Sequence, residues 1–375
     1  MAHSYTPGLK VLKNTKILKE RRLPLKGSVD TSVGDTVAPG DTIAKTDLPG
    51  NVQMVNIANQ LNVDASDVET VMIAKEGSKV SKNDLIAQTN GIFGYFKSSV
   101  NSPVDGTIES VSNITGQVVI REAPIPVEVD AYIRGVVDEV ITEEGVVIKS
   151  YGSFVQGIFG IGGESRGEIK MLSENRTSEI SVDMIKPEHE GLIIVGGSFI
   201  SLEAYKKALE CKVAGVVVGG FNYYDLEEIL GYTLGVAITG SEELITSLIV
   251  TEGYGKIQMG QQTFDLLREN SGRLASINGA TQIRAGVIRP EIIIPSDASS
   301  QKDSDENSKK MSGMTEGSLV RVIRSPNFGK IGSVKVLPSE LRKMESETMV
   351  RVAIIDIDGE LIEIPRSNLE VVETD

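Results

Sequence analysis

Gly34-Asp35-Thr36-Val37, followed by Asp41-Thr42-Ile43-Ala44-Lys45-Thr46, recurs as Gly77-Ser78-Lys79-Val80 followed by Asp84-Leu85-Ile86-Ala87-Gln88-Thr89. The offset is 43 residues throughout, so the chain contains an internal repeat. Each copy runs on to a Pro and a Gly before a short β-rich run: Pro49-Gly50-Asn51-Val52 in the first, Ser102-Pro103-Val104-Asp105-Gly106-Thr107-Ile108 in the second. Glycine at the turn permits positive φ, and the Val and Ile side chains pack inward. Two such short-stranded halves cannot bury their apolar faces alone, and the pattern predicts that they close one small flattened barrel.

The pattern G-D-x-V-x-x-G-D-x-I-A, with S-P-V-D-G-T-I, resembles the biotinyl/lipoyl-type barrel-sandwich hybrid, or hammerhead, over roughly residues 20 to 150. In that family a carrier lysine lies eight residues before the Pro of the turn. Here that position is Tyr95, or Asp41 in the first copy, and the nearby Lys97 lies in neither carrier motif. The resemblance therefore implies a relative without biotin or lipoate, and no cofactor is expected.

A chain of 375 residues, 40% hydrophobic, suggests two or three domains. Its net charge of −14 argues against coating of nucleic acid by the whole surface, and the absence of Trp leaves few stacking platforms. One cysteine, Cys211, excludes an intramolecular disulfide and Cys-based zinc or iron–sulfur sites, and two histidines make a His-rich metal site a poor expectation. No apolar run approaches membrane-spanning length, and Met1–Pro7 lacks the apolar core of a signal peptide. A soluble cytoplasmic protein, without membrane insertion, is the expectation.

In chain order, residues 1–22 read as a basic, solvated lead-in, and residues 23–168 as the barrel-sandwich hybrid. Residues 169–295 read as an α/β domain, Rossmann-like or swivelling. The runs Leu192–Val195, Val213–Val218 and Val236–Ile238 each end near glycine and lead to a helical pattern, which predicts a parallel sheet covered on both faces. Ligands of α/β sheets bind at such strand ends. Gly196, Gly197, Ser198, Gly219, Gly220, Thr239 and Ser241 are thus candidate ligand residues, with Arg284 and Arg289 as guanidinium groups needing acidic partners. The alternative for each is a tight turn, a helix cap or internal ion pairing. No nucleophile–base pair is visible, so the reading leans away from an enzyme, and no catalytic or metal-binding residue is named.

Residues 296–313 form a polar linker without apolar periodicity. Residues 314–375 are again β-patterned. The stretch Glu316–Val336 is similar to the KOW motif, the SH3-like barrel of NusG-type elongation factors and several ribosomal proteins, with the motif's glycine at Gly332. Residues 318–343 carry Arg321, Arg324, Lys330, Lys335, Arg342 and Lys343 against the single acid Glu340. The fold expected is thus multi-domain α+β: barrel-sandwich hybrid, central α/β domain and C-terminal SH3-like barrel. The function expected is a non-enzymatic adaptor, its flexibly tethered C-terminal barrel docking through those six basic residues on a protein or ribonucleoprotein of the transcription or translation machinery. Direct contact with RNA or DNA is the other reading of that face. The competing function is an anion- or small-molecule-binding enzyme or sensor at the glycine-ended strand edge. Oligomeric state is not fixed by the sequence.

Overall fold

The computed structural model describes residues 9–90, 97–232, 239, 240, 242, 244–282, 288–296, 314–324, 327, 330–338, 340–343 and 349–371. The repeat is present down to its hydrogen bonds. In the first copy the Ser32 amide donates to Asp35 Oδ2 (2.8 Å) and the Ala38 amide to Asp41 Oδ2 (2.7 Å). In the second, the Lys75 amide donates to Ser78 Oγ (3.1 Å) and the Ser81 amide to Asp84 Oδ2 (2.7 Å). Short polar side chains thus replace backbone acceptors at equivalent turns. Val37 and Val80, Ile43 and Ile86, and Ala44 and Ala87 are the matching buried pairs.

The two copies do not close one barrel, as the sequence suggests; each seeds its own core. Ile43 and Ala44 pack with Ile133, Val137, Val146 and Ile148. Ile86 and Ala87 pack with Val55, Ile108, Val118 and Ile120. The reason lies in the long-range pairing. Strand Thr42–Leu48 pairs antiparallel with Ile125–Asp130, and Val52–Asn56 pairs with Gln117–Arg121. The second unit is therefore inserted between two paired strands of the first.

The closing halves are repeated too. Val80 opposes Gly106, and Val37 opposes Gly135. The Gly77 amide donates to the Ile108 carbonyl (2.7 Å) and the Gly34 amide to the Val137 carbonyl (2.9 Å). A Cβ on Gly106 would lie 2.5 Å from the Arg121 carbonyl oxygen, and one on Gly135 2.4 Å from that of Lys149. Both positions need glycine for close approach of a neighbouring strand. The structural partner of Gly106 is therefore Gly135, not Gly50.

Among the described residues, a sheet of 13 strands runs through both of the first two regions. Glu164–Met171, Ile193–Val195, Gly215–Phe221 and Ser247–Tyr254 are parallel neighbours. The same Glu164–Met171 strand pairs antiparallel with Leu274–Asn278, which leads through Glu291–Pro295 to Gly145–Gln156 of the first unit. Ile292 and Ile294 enter one core and Ile293 another, so this strand is buried on both faces. The fold is β-rich, with five α-helices among the described residues, and contains no distinct central Rossmann-like or swivelling α/β domain. Buried apolar runs carry no strand direction, so parallel and antiparallel strands of such a sheet read alike.

Two local readings change with it. Val236–Ile238 lies outside the described residues, and the fourth parallel strand is Ser247–Tyr254, where a helix is expected from the sequence. Its Leu248-Ile249-Val250 run is rich in β-branched residues and wholly buried. The basic stretch read as a solvated lead-in forms strand Val11–Arg22, paired along its length with Gly145–Gln156. Its cations find acids: Lys13 pairs with Glu269, Lys19 with Glu291, and Arg21 with Glu164 and Asp130.

The described C-terminal residues form a separate six-stranded sheet around Val320, Val334, Ala353, Ile355 and Leu369. This unit is not free of the body. Ile323 joins the core cluster of Phe221, Leu226 and Val250, and Arg321, 2% exposed, bonds to Glu252 Oε2 across the junction (2.7 Å).

Candidate functional site

The glycine-ended strand edge is occupied by the protein's own backbone. A Cβ on Gly219 would lie 2.1 Å from the Ile257 carbonyl oxygen, and one on Gly220 1.9 Å from that of Gly255. Gly196 is buried, and the Gly197 amide donates to Ser173 Oγ (3.1 Å). Ser198 Oγ donates to the Thr177 carbonyl (2.7 Å), and Thr239 Oγ1 to that of Gly160 (2.7 Å). The cap of helix Leu202–Glu210 is Ser201 rather than Ser198. Ser241 and Arg284 lie outside the described residues. The hydroxyls that could hold an anion are thus spent on carbonyls, and the glycines serve close packing.

Arg289 belongs to a buried alternating charge cluster. Arg289 Nη2 lies 3.4 Å from Glu370 Oε1, Arg321 Nη1 3.3 Å from Glu370 Oε2, and Glu252 accepts from Arg321 through one oxygen and from the Gly260 amide through the other (2.9 Å). Burial raises the Glu370 carboxyl above its usual range, partly opposed by Arg321 and Arg289; burial likewise lowers the Arg289 guanidinium. The cluster pairs two guanidinium groups with two carboxylates at the junction and leaves Arg321 no access to a partner.

The other five basic residues are exposed. Lys335 and Arg342 lie on the outer side of the C-terminal sheet, where each meets an acid: Lys335 pairs with Asp356 (3.2 Å) and Arg342 with Glu363 (2.6 Å). Lys343, opposite Met349, belongs to the alternate set of positions. Arg324 and Lys330 flank the loop at the other end of strands Leu319–Val322 and Ile331–Val336. The structure therefore does not gather the six cations into one basic face.

Between the two ion pairs lies an apolar strip. Register places Val336 opposite Ile354, Ile354 opposite Glu363, and Asp356 opposite Leu361, all on one face of the sheet. The alternate residues Ala353, Ile355 and Ile357 fill the core. Val336 is 44% and Leu361 64% exposed. The sequence reading passed over both. Their signal is the alternation of Met349–Ile357, which makes Ile354, half-buried, an outward apolar residue.

A polar cleft of about 430 Å³ lies between the first unit and the large sheet, lined by Arg21, Thr42, Glu128, Asp130 and Glu164 among others. Its charges are matched internally: Arg21 binds both oxygens of Glu164 (2.5 and 2.9 Å), Arg166 binds Asp130 (2.9 Å), and Thr42 donates to Glu128 (3.1 Å). Beside it Lys19 and Arg21 both lie over the buried Tyr132 ring, whose phenol is raised by burial and by the neighbouring Glu291 carboxylate.

Among the described residues no group of His, Cys, Asp or Glu could hold a metal ion, Cys211 is buried, and no helix is long and apolar enough to cross a membrane. No protein-family model matches the chain, and no curated protein matches it.

Proposed function

We propose that the protein is a non-enzymatic adaptor that docks a partner protein on the outer face of its C-terminal sheet. The observation that carries this reading is the exposed pair Val336 and Leu361, set between the Lys335–Asp356 and Arg342–Glu363 ion pairs. An apolar centre with a charge-balanced polar rim suits a protein surface. It suits a phosphate backbone poorly, because the cations on this face are already neutralised. The KOW-like pattern of Glu316–Val336 supports a partner within the transcription or translation machinery, and a cytoplasmic setting accords with the single cysteine.

Affinity capture from the native cell tests it, using the full chain and a Val336→Asp/Leu361→Asp variant whose circular dichroism and melting match the parent. The parent should retain a specific protein that the variant loses. Equal recovery by both would remove this face from the function.

A further inference from the structure

We infer that the junction between the C-terminal sheet and the body is a reversible latch, closed in this structure, that withholds Arg321 and Ile323 from the surface until it opens. Each side is built to stand apart from the other. Among the described residues, no strand of the C-terminal sheet pairs with a strand of the body, and its core draws only on residues 314–371. Along the strand Leu319–Val322, Val320 and Val322 face that core. Arg321 and the following Ile323 therefore lie on the opposite face, the one the body covers.

The charges that close the latch are divided evenly. The body supplies Glu252 and Arg289, and the C-terminal unit supplies Arg321 and Glu370. Each side carries one cation and one anion, and Arg321 keeps Glu370 when the two part. Burying the four groups strips their hydration, a cost that their mutual attraction does little more than offset. The fit is also incomplete. Arg321 Nε is buried with no hydrogen bond among the described residues, and the two contacts of Glu370 are 3.3 and 3.4 Å, longer than a good charge-assisted bond. A buried donor left unmade is a cost that opening relieves, because water then reaches it. The apolar grip is small: among the described residues, Ile323 alone of the C-terminal unit enters the body's adjoining core. The cluster thus fixes where the unit docks more than how tightly, and the open form is a minor state of about 0.1–10% of molecules. A ligand that needs Arg321 or Ile323 binds in competition with the body. The outer face of Val336 and Leu361 is exposed with the latch closed, so the latch and the docking reading stand or fall separately.

The test is single-molecule energy transfer in the full chain, with fluorophores on Asp183→Cys in the body and Glu360→Cys in the C-terminal sheet. Both positions are exposed, and the native Cys211 is buried, so labelling is selective. As urea rises, a second, broader separation should grow at concentrations where the circular dichroism of the sheets is still unchanged. Without urea, Glu252→Gln should raise the open-to-closed ratio about tenfold, because it leaves two guanidinium groups buried with one carboxylate. A separation that changes only together with global unfolding would overturn the inference without recourse to that variant. So would an unchanged ratio in a folded Glu252→Gln protein.

Discussion

Replacing Arg321 by Met should loosen the junction between the C-terminal sheet and the body more than any other single change there. The side chain is 2% exposed and reaches Glu252 and Glu370, themselves 7% and 1% exposed. Methionine fills most of the volume but leaves both carboxylates short of a cation: among the described residues Glu252 keeps the Gly260 amide, and Glu370 keeps Arg289 at 3.4 Å. Breaking a buried pair from one side costs about 3–5 kcal/mol, because the stranded charge is the expense rather than the lost attraction. The double variant Arg321→Met/Glu252→Gln removes one charge of each sign and leaves Arg289 with Glu370, so it should recover most of that loss. Urea denaturation gives the magnitudes. Hydrogen exchange at residues 319–323 and 369–371 locates the effect. A single variant within about 0.5 kcal/mol of the parent, the usual range of surface substitutions, would refute a buried cluster and a docked unit together.

Three further outcomes follow from the same geometry. Because burial raises the Glu370 carboxyl, its protonated form is the one favoured by folding; the stability it contributes is present below the ordinary carboxylate range and is lost as pH rises through the raised value. Relative to Glu370→Gln, the parent should therefore gain melting temperature as pH falls from neutrality toward that range, and a constant difference would contradict it. Ile43→Ala and Ile86→Ala should each cost about 2–5 kcal/mol, and because the two side chains sit in separate cores their costs should add in the double variant; strong coupling measured by denaturation would mean a shared core. Gly106→Ala and Gly135→Ala should each destabilise by about 1–3 kcal/mol or more, since the new methyl would meet a strand carbonyl at 2.5 or 2.4 Å; unchanged melting of either would deny the close approach.

The repeat was legible in the sequence because turn chemistry is local: Asp35 and Ser78, and Asp41 and Asp84, each bond a residue three positions away. Its topology was not. Nothing local says that Thr42–Leu48 waits for Ile125–Asp130 while a second unit intervenes. The closing halves share glycine and outward-inward alternation more than residue identity, so Gly135 escaped notice. Leu202–Glu210 and Tyr223–Leu230 could be read from helical period, but Ser247–Tyr254 could not be told from a helix by apolarity alone. Arg321 offered a clue that its charge obscured: it lies in a strand between the buried Val320 and Val322, opposite Glu370. A cation at that register points to an internal partner as readily as to an external one.

The docking reading is tested most directly by the salt response of the captured complex after nuclease treatment. A partner protein held on Val336 and Leu361 should remain bound as salt rises from low to moderate concentration and be lost from the Val336→Asp/Leu361→Asp variant. A complex that dissolves with nuclease, or weakens steeply with salt while ignoring those two substitutions, would contradict it and return the function to the exposed cations.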